Sequence, residues 1–126
     1  EIPVAAVVLD GQGRAIGWGS NRREHDQNPL GHAELVALQQ AARLRQNWRF
    51  NDCTLLVTLE PCPMCAGAIA HARIARVYYA APDPKGGGVD HGPRIFTQPI
   101  SMRMSRVPLE MTTPRISSMS ARVTGW

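Results

Sequence analysis

The 126-residue sequence predicts an α/β sandwich with helices packed against a central sheet, and three observations carry that prediction. Short apolar runs alternate with longer segments of helical spacing in the order β-β-α-β-α-β, the pattern of layered α/β domains. The helical segments are rich in alanine and include Gly67, small residues that let a helix lie close on a sheet. A hydrophobic content of 44% with only 19% charged residues describes a chain that builds a core, at a length suited to one compact domain.

Each element follows in order. Residues 2–9 are an apolar, β-branched run that ends in Asp10-Gly11-Gln12-Gly13, a strong turn signal. Alternation resumes over 14–20, so the two runs read as a hairpin. Residues 21–31 are too rich in Asn, Asp, Pro and Gly for regular structure. Over 32–46 the apolar residues Ala33, Val36, Ala37, Ala41 and Leu44 recur at helical spacing. Asn51-Asp52 breaks the pattern, and 54–59 is a short, apolar strand. Pro61 and Pro63 stand where a second helix begins, since proline is tolerated in a first turn, and 66–72 carries that helix on. Residues 77–81 form the next strand, and 82–93, with Gly86-Gly87-Gly88, form a loop. After Phe96 neither a period of two nor one of 3.6 persists, and four of the five methionines fall in 100–126. The chain therefore divides into a domain over 1–96 and a basic Met-, Ser- and Arg-rich tail over 97–126 whose role the sequence does not assign.

The net charge of +4 is uneven. From Thr97 onward Arg103, Arg106, Arg115 and Arg122 oppose Glu110, giving +3 and leaving +1 for residues 1–96. Such a tail reads as a solvated segment at least as well as a nucleic-acid face. No run of about 18 apolar residues is present, so no membrane span is expected. The opening residues also lack the basic-then-apolar pattern of a secretory leader, so the expected location is the cytoplasm. Of the three cysteines, two lie three positions apart, which fits a metal site in a reducing compartment better than a disulfide framework.

Three pieces carry chemistry: His32-Ala33-Glu34, Pro61-Cys62, and Cys65. Cys62 and Cys65 lie one turn apart at a helix start, so both sulfurs can face one point. A helix N-terminus favours the thiolate, the form a metal binds. One imidazole and two thiolates make a three-ligand set that suits zinc and neutralises its charge. Three ligands leave a position for water, which zinc activates as a nucleophile near neutral pH. Glu34, two residues past His32, is directed away from the ligands if both are helical, a placement for moving protons rather than for binding metal. A structural site is the alternative: a lone Cys-x-x-Cys is often a redox pair or half of a closed zinc site, with His25, Cys53, His71 or His91 as the fourth ligand. His-x-Glu followed by Pro-Cys-x-x-Cys is the zinc deaminase signature and favours the catalytic form.

At these residues the chain resembles the bacterial tRNA-specific adenosine deaminases of the cytidine deaminase-like superfamily. The resemblance covers about residues 2–96. It rests on Ile-Pro-Val-Ala-Ala-Val-Val at 2–8, Asn21-Arg22, Gly-His-Ala-Glu-Leu-Val-Ala-Leu at 31–38 and Thr-Leu-Glu-Pro-Cys-Pro-Met-Cys-Ala-Gly-Ala at 58–68. Arg73-Ile74-Ala75-Arg76-Val77 and Asp83-Pro84-Lys85 extend it. The resemblance implies a three-layer α/β/α sandwich with a mixed sheet and helices on both faces. It implies one Zn²⁺ on His32, Cys62 and Cys65, and Glu34 as proton shuttle. Asn21 would bond the flipped-out base and Asp83 would lie near the flanking nucleotide. The implied reaction is adenosine to inosine at the wobble position of a tRNA anticodon loop, by a homodimer. The family's leading helix and its closing amphipathic helix have no match here, and residues after about Gln98 depart from it.

Simpler roles remain for single residues. Asn21 and Asp83 also suit turn chemistry. Arg22 and Lys85 read as solvated charges, Cys53 as a small core residue, His71 as surface or packing, and Trp18, Trp48 and Phe50 as core or rim. Rival functions keep the same zinc site: a deaminase of free guanine or cytosine, or one of single-stranded DNA. A non-enzymatic rival is a zinc-bound, non-catalytic partner subunit, against which the intact Glu34 speaks.

Overall fold

The computed structural model describes residues 2–98 and the backbone of 110–112. Strands β1 (Ala5–Leu9) and β2 (Ala15–Ser20) form the expected hairpin. Asp10 builds its turn: one carboxylate oxygen accepts the N–H groups of Gln12 and Arg14, each at 2.9 Å. Helix α1 (Arg23–Asp26) follows, then α2 (Ala33–Arg45), β3 (Thr54–Leu59), α3 (Pro63–His71), β4 (Arg76–Ala81) and a 3-10 turn at Ile95–Thr97. A last strand, β5 (Glu110–Thr112), pairs parallel with β4.

Two of these elements depart from the expectation. The 21–31 stretch holds a single helical turn, α1, because Arg22 reaches Asp26 four residues on (2.9 Å) and Gln27 closes the turn in the left-handed region at φ 49°. A local ion pair here outweighs a composition that reads as loop. β5 lies where the sequence shows no strand period; three residues are too few to display one, and they take their partner from β4. Apart from β5 and Thr97–Gln98, which belong to the 3-10 turn and its cap, the tail lies outside the described residues.

The sheet order is β2-β1-β3-β4-β5. β1 runs antiparallel to both neighbours, while β3, β4 and β5 are parallel, so the sheet is mixed. Both α2 and α3 lie on one face. Ala33, Ala37 and Ala41 of α2 and Ala66, Ile69 and Ala70 of α3 share a core with Ala6, Val8, Leu55, Val57, Val77 and Tyr79. The helix alanines act as expected, whereas Gly67 does not: a Cβ there would meet nothing within 4 Å. A Cβ on Gly17 of β2 would stand 2.3 Å from the Ala37 carbonyl oxygen, so α2 rests on bare backbone. The sheet's other face carries Val7 and Leu56, both half-buried, and the helical layer expected there is not among the described residues. No helix among the described residues is long and apolar enough to cross a membrane.

This packing sets the site. α2 and α3 both begin at one end of the sheet, so their N-termini, each with unpaired N–H groups and a positive dipole end, converge there.

Candidate metal centre

His32 and Cys62 are the N-cap residues of α2 and α3, both with extended backbone (ψ 146° and 170°) and neither with a side-chain cap bond. Their side chains are thus free to meet across the gap between the helices. Cys65, one turn into α3, completes the group, and the ligand atoms of His32, Cys62 and Cys65 all lie within 4.8 Å of one another. Cys62 Sγ stands 3.7 Å from His32 Nδ1. Zinc bonds of about 2.3 Å to sulfur and 2.0 Å to nitrogen at tetrahedral angles separate such atoms by about 3.5–3.8 Å. The three residues therefore fit one zinc ion with little movement.

The same geometry governs the thiols. A hydrogen bond from the Cys65 thiol, with N–H groups at the start of α3, holds Cys62 down to about 5, against the effect of burial. Cys65 is driven the other way, by donating that bond and by its own burial.

Glu34 is buried, 4% exposed, and burial raises its carboxyl above the usual range. It hydrogen-bonds with Cys65, on the flank of the ligand group rather than away from it. Its placement differs from the helical estimate because His32 is a cap with extended backbone, not a helical residue. Only the next residues follow the helix.

A cleft of about 240 Å³ opens on this group. Its walls include Asn21, His32, Glu34, Glu60, Cys62 and Asp83, so of the six residues assigned to metal, proton transfer and substrate, all but buried Cys65 line it. Asn21 has both ends of its amide engaged: its oxygen accepts the Val4 N–H (3.0 Å) and its nitrogen donates to the Ile2 carbonyl (2.6 Å). Asp83 Oδ1 accepts the Gly86 N–H at 3.0 Å, a turn role compatible with its place on the wall.

The candidates for a fourth ligand are elsewhere. His25 meets Asp26, His71 stacks on Trp48 at 5.9 Å, and His91 meets Glu60 at 2.7 Å. Cys53 is buried in the core against Arg45, its thiol pushed up to about 12 by desolvation. Among the described residues, His32, Cys62 and Cys65 are the one such group.

Glu60 was not singled out by sequence reasoning. Its carboxylate is fully shielded and accepts the backbone N–H groups of Asp83, Val89, Asp90 and His91. The available signal was a charged residue closing an apolar strand, next to Pro61-Cys62.

A mixed sheet with two helix N-termini gathered over a His/Cys/Cys group, and a buried carboxylate beside it, defines a zinc-binding α/β domain of the deaminase type. The chain belongs to the family of cytidine and deoxycytidylate deaminase zinc-binding regions, which matches residues 1–81. It is 47% identical over 100 residues to a tRNA-specific adenosine deaminase of Agrobacterium fabrum, covering 79% of this chain and 64% of that one. The chain thus spans just under two thirds of that relative's length. A tRNA:A34 deaminase structure, from work on A-to-I editing at the wobble position of transfer RNA, superposes with a TM-score of 0.78 at 38% identity, covering 86% of this chain and 82% of that one. A guanine deaminase of Bacillus subtilis superposes at 0.61, also 38% identical, covering 63% and 50%.

Proposed function

We propose that this chain is a zinc-dependent hydrolytic deaminase that converts adenosine to inosine in RNA, with the wobble position of a tRNA anticodon loop as its target. The observation that carries the reading is the gathering of His32, Cys62, Cys65 and Glu34 at one cleft, in a chain so similar to a tRNA-specific adenosine deaminase. In this reading His32, Cys62 and Cys65 would hold the zinc, which when bound would supply an activated water as nucleophile. Glu34 would take a proton from the attacking water and deliver it to the ring nitrogen. Glu34 would then take the proton of the new hydroxyl group and pass it to the amine, which leaves as ammonia while the ring carbon becomes a carbonyl. Its burial supports the role, since a shielded carboxyl binds protons more readily than an exposed one. Asn21 and Asp83 on the cleft wall contact the base and the flanking nucleotide, Asn21 after exchanging its bonds to Ile2 and Val4 for bonds to the base. An unpaired loop suits this chemistry because the target base must leave its stack. The working form is a homodimer in the cytoplasm.

A second reading, deamination of a free base, is supported by the 38% identity to the guanine deaminase. The deciding experiment is inosine formation by zinc-loaded protein on an anticodon stem-loop with a wobble adenosine. Free guanine, free cytosine and a single-stranded DNA run alongside. Inosine in the stem-loop is the expected outcome, and turnover of a small base or DNA alone replaces the RNA reading. Zinc content without activity on any of them leaves a non-catalytic subunit. Sedimentation of the same sample checks the dimer.

A further inference from the structure

We infer that Glu60 is a positioning residue: its buried carboxylate holds the 82–91 loop, and with it Asp83, on the wall of the cleft that contains the metal group. The inference deepens the RNA reading and rests on it for the role of Asp83.

Both carboxylate oxygens are committed to that loop. Oε1 accepts the Asp83 N–H at 3.0 Å and faces His91 Nδ1 at 2.7 Å. Oε2 accepts the N–H groups of Val89, Asp90 and His91 at 3.1, 3.0 and 3.1 Å. The side chain has no exposure to solvent, a setting in which an unpaired carboxylate is very costly. Backbone donors from 23 to 31 residues away provide the compensation, so the loop is folded around the anion. The fit leaves no slack. A Cβ on Gly87 would stand 2.4 Å from the Glu60 carboxyl carbon, and one on Gly88 2.6 Å from the Pro63 nitrogen. The Gly88 N–H donates to the Pro61 carbonyl at 2.8 Å, and the Tyr79 hydroxyl donates to Asp90.

Glu60 is also two residues from Cys62. One side chain therefore references the loop to the strand end that leads into the metal group, and sets how far Asp83 stands from it. The two oxygens divide the backbone contacts: Oε2 takes the three amides of the 89–91 arc, while Oε1 takes the Asp83 amide on the cleft side together with the His91 ring.

The division yields a selective test in Glu60→Gln. The side-chain oxygen takes the three-donor position, and the new NH₂ group then faces the Asp83 N–H, donor against donor. In the zinc-loaded protein, hydrogen exchange at the Asp83 amide should speed up at least about tenfold while Val89, Asp90 and His91 keep their protection, because one bond of four is lost. Glu60→Ala should release all four. On the anticodon stem-loop, Glu60→Gln should raise KM about tenfold, with kcat within about twofold and zinc retained, the signature of a lost binding contact rather than a lost catalytic one. If Glu60→Gln does not fold, His91→Ala, at a partly exposed position, removes one partner of Oε1 and should raise KM about threefold with kcat kept. Unchanged Asp83 exchange, an unchanged KM in an active enzyme, or a joint fall of zinc content, kcat and stability would each overturn the inference. Wild-type protein inactive on RNA but with the expected exchange pattern defeats the substrate reading and leaves the anchoring intact.

Discussion

The two ends of the helix layer obey one electrostatic rule with opposite results. At the N-termini of α2 and α3, where the dipoles are positive, the chain places two thiols and a carboxylate: Cys62, Cys65 and Glu34. At the C-termini, where the dipoles are negative, it places Arg43 and Arg45 on α2 and His71 on α3. Each arrangement complements the macrodipole. The difference is shielding. The N-terminal groups face one another across a cleft between two packed helices, and Cys65 and Glu34 are buried. At the C-terminal end, Arg45 is half-buried against Asp52 and the Phe50 ring, while His71 stacks on Trp48, which is 47% exposed and also carries the guanidinium groups of Arg49 and Arg73 at 4.7 and 5.5 Å from its ring. Charges that face solvent are screened and contribute little, whereas groups in a shielded gap shift thiol acidity and can hold a metal. Chemistry follows convergence and burial rather than charge itself.

The contrast can be broken at its strong end first. Cys65→Ala should lose zinc and all detectable deamination. A ligand at about a thousand times its Kd contributes about 4 kcal/mol to the folded state, so the melting temperature should fall by roughly 15 °C. Chelator should lower the wild type to the variant's value and leave the variant where it is. A Cys65→Ala protein that keeps its zinc and activity would remove this cysteine from the site.

Glu34→Gln separates proton transfer from metal binding. Zinc content should stay at one per chain while kcat falls by about 10²–10⁴-fold, the usual contribution of a positioned acid–base group. Single-turnover rates with metal analysis on the same sample would read both quantities, and a rate near that of the wild type refutes the assignment.

At the surface end, Trp48→Ala should be mild. Exposed cation–ring contacts are worth about 0.5–1 kcal/mol each, so the loss should be about 1–2 kcal/mol by denaturant titration, with kcat/KM within about twofold. A larger effect on turnover would show that this end takes part in the reaction.

Periodicity and composition were enough for the element order because β1 to β4 and the two long helices are local patterns, and their boundaries fall within a few residues of the expected ones. Local patterns also pointed to His32, Glu34, Cys62 and Cys65, since residue type and spacing are written in the chain. α1 was missed because one side-chain pair, Arg22 with Asp26, decided it. β5 was missed because its partner is another strand and not its own sequence. Only tertiary packing brought His32 to Cys62 across thirty residues, set Glu34 against Cys65, and closed the Asn21 amide on Ile2 and Val4. Glu60 shows the division most clearly: in sequence it is one acid at the end of a strand. Its role exists because four amides from a distant loop converge on it, and convergence is a property of the folded chain, not of any window of residues.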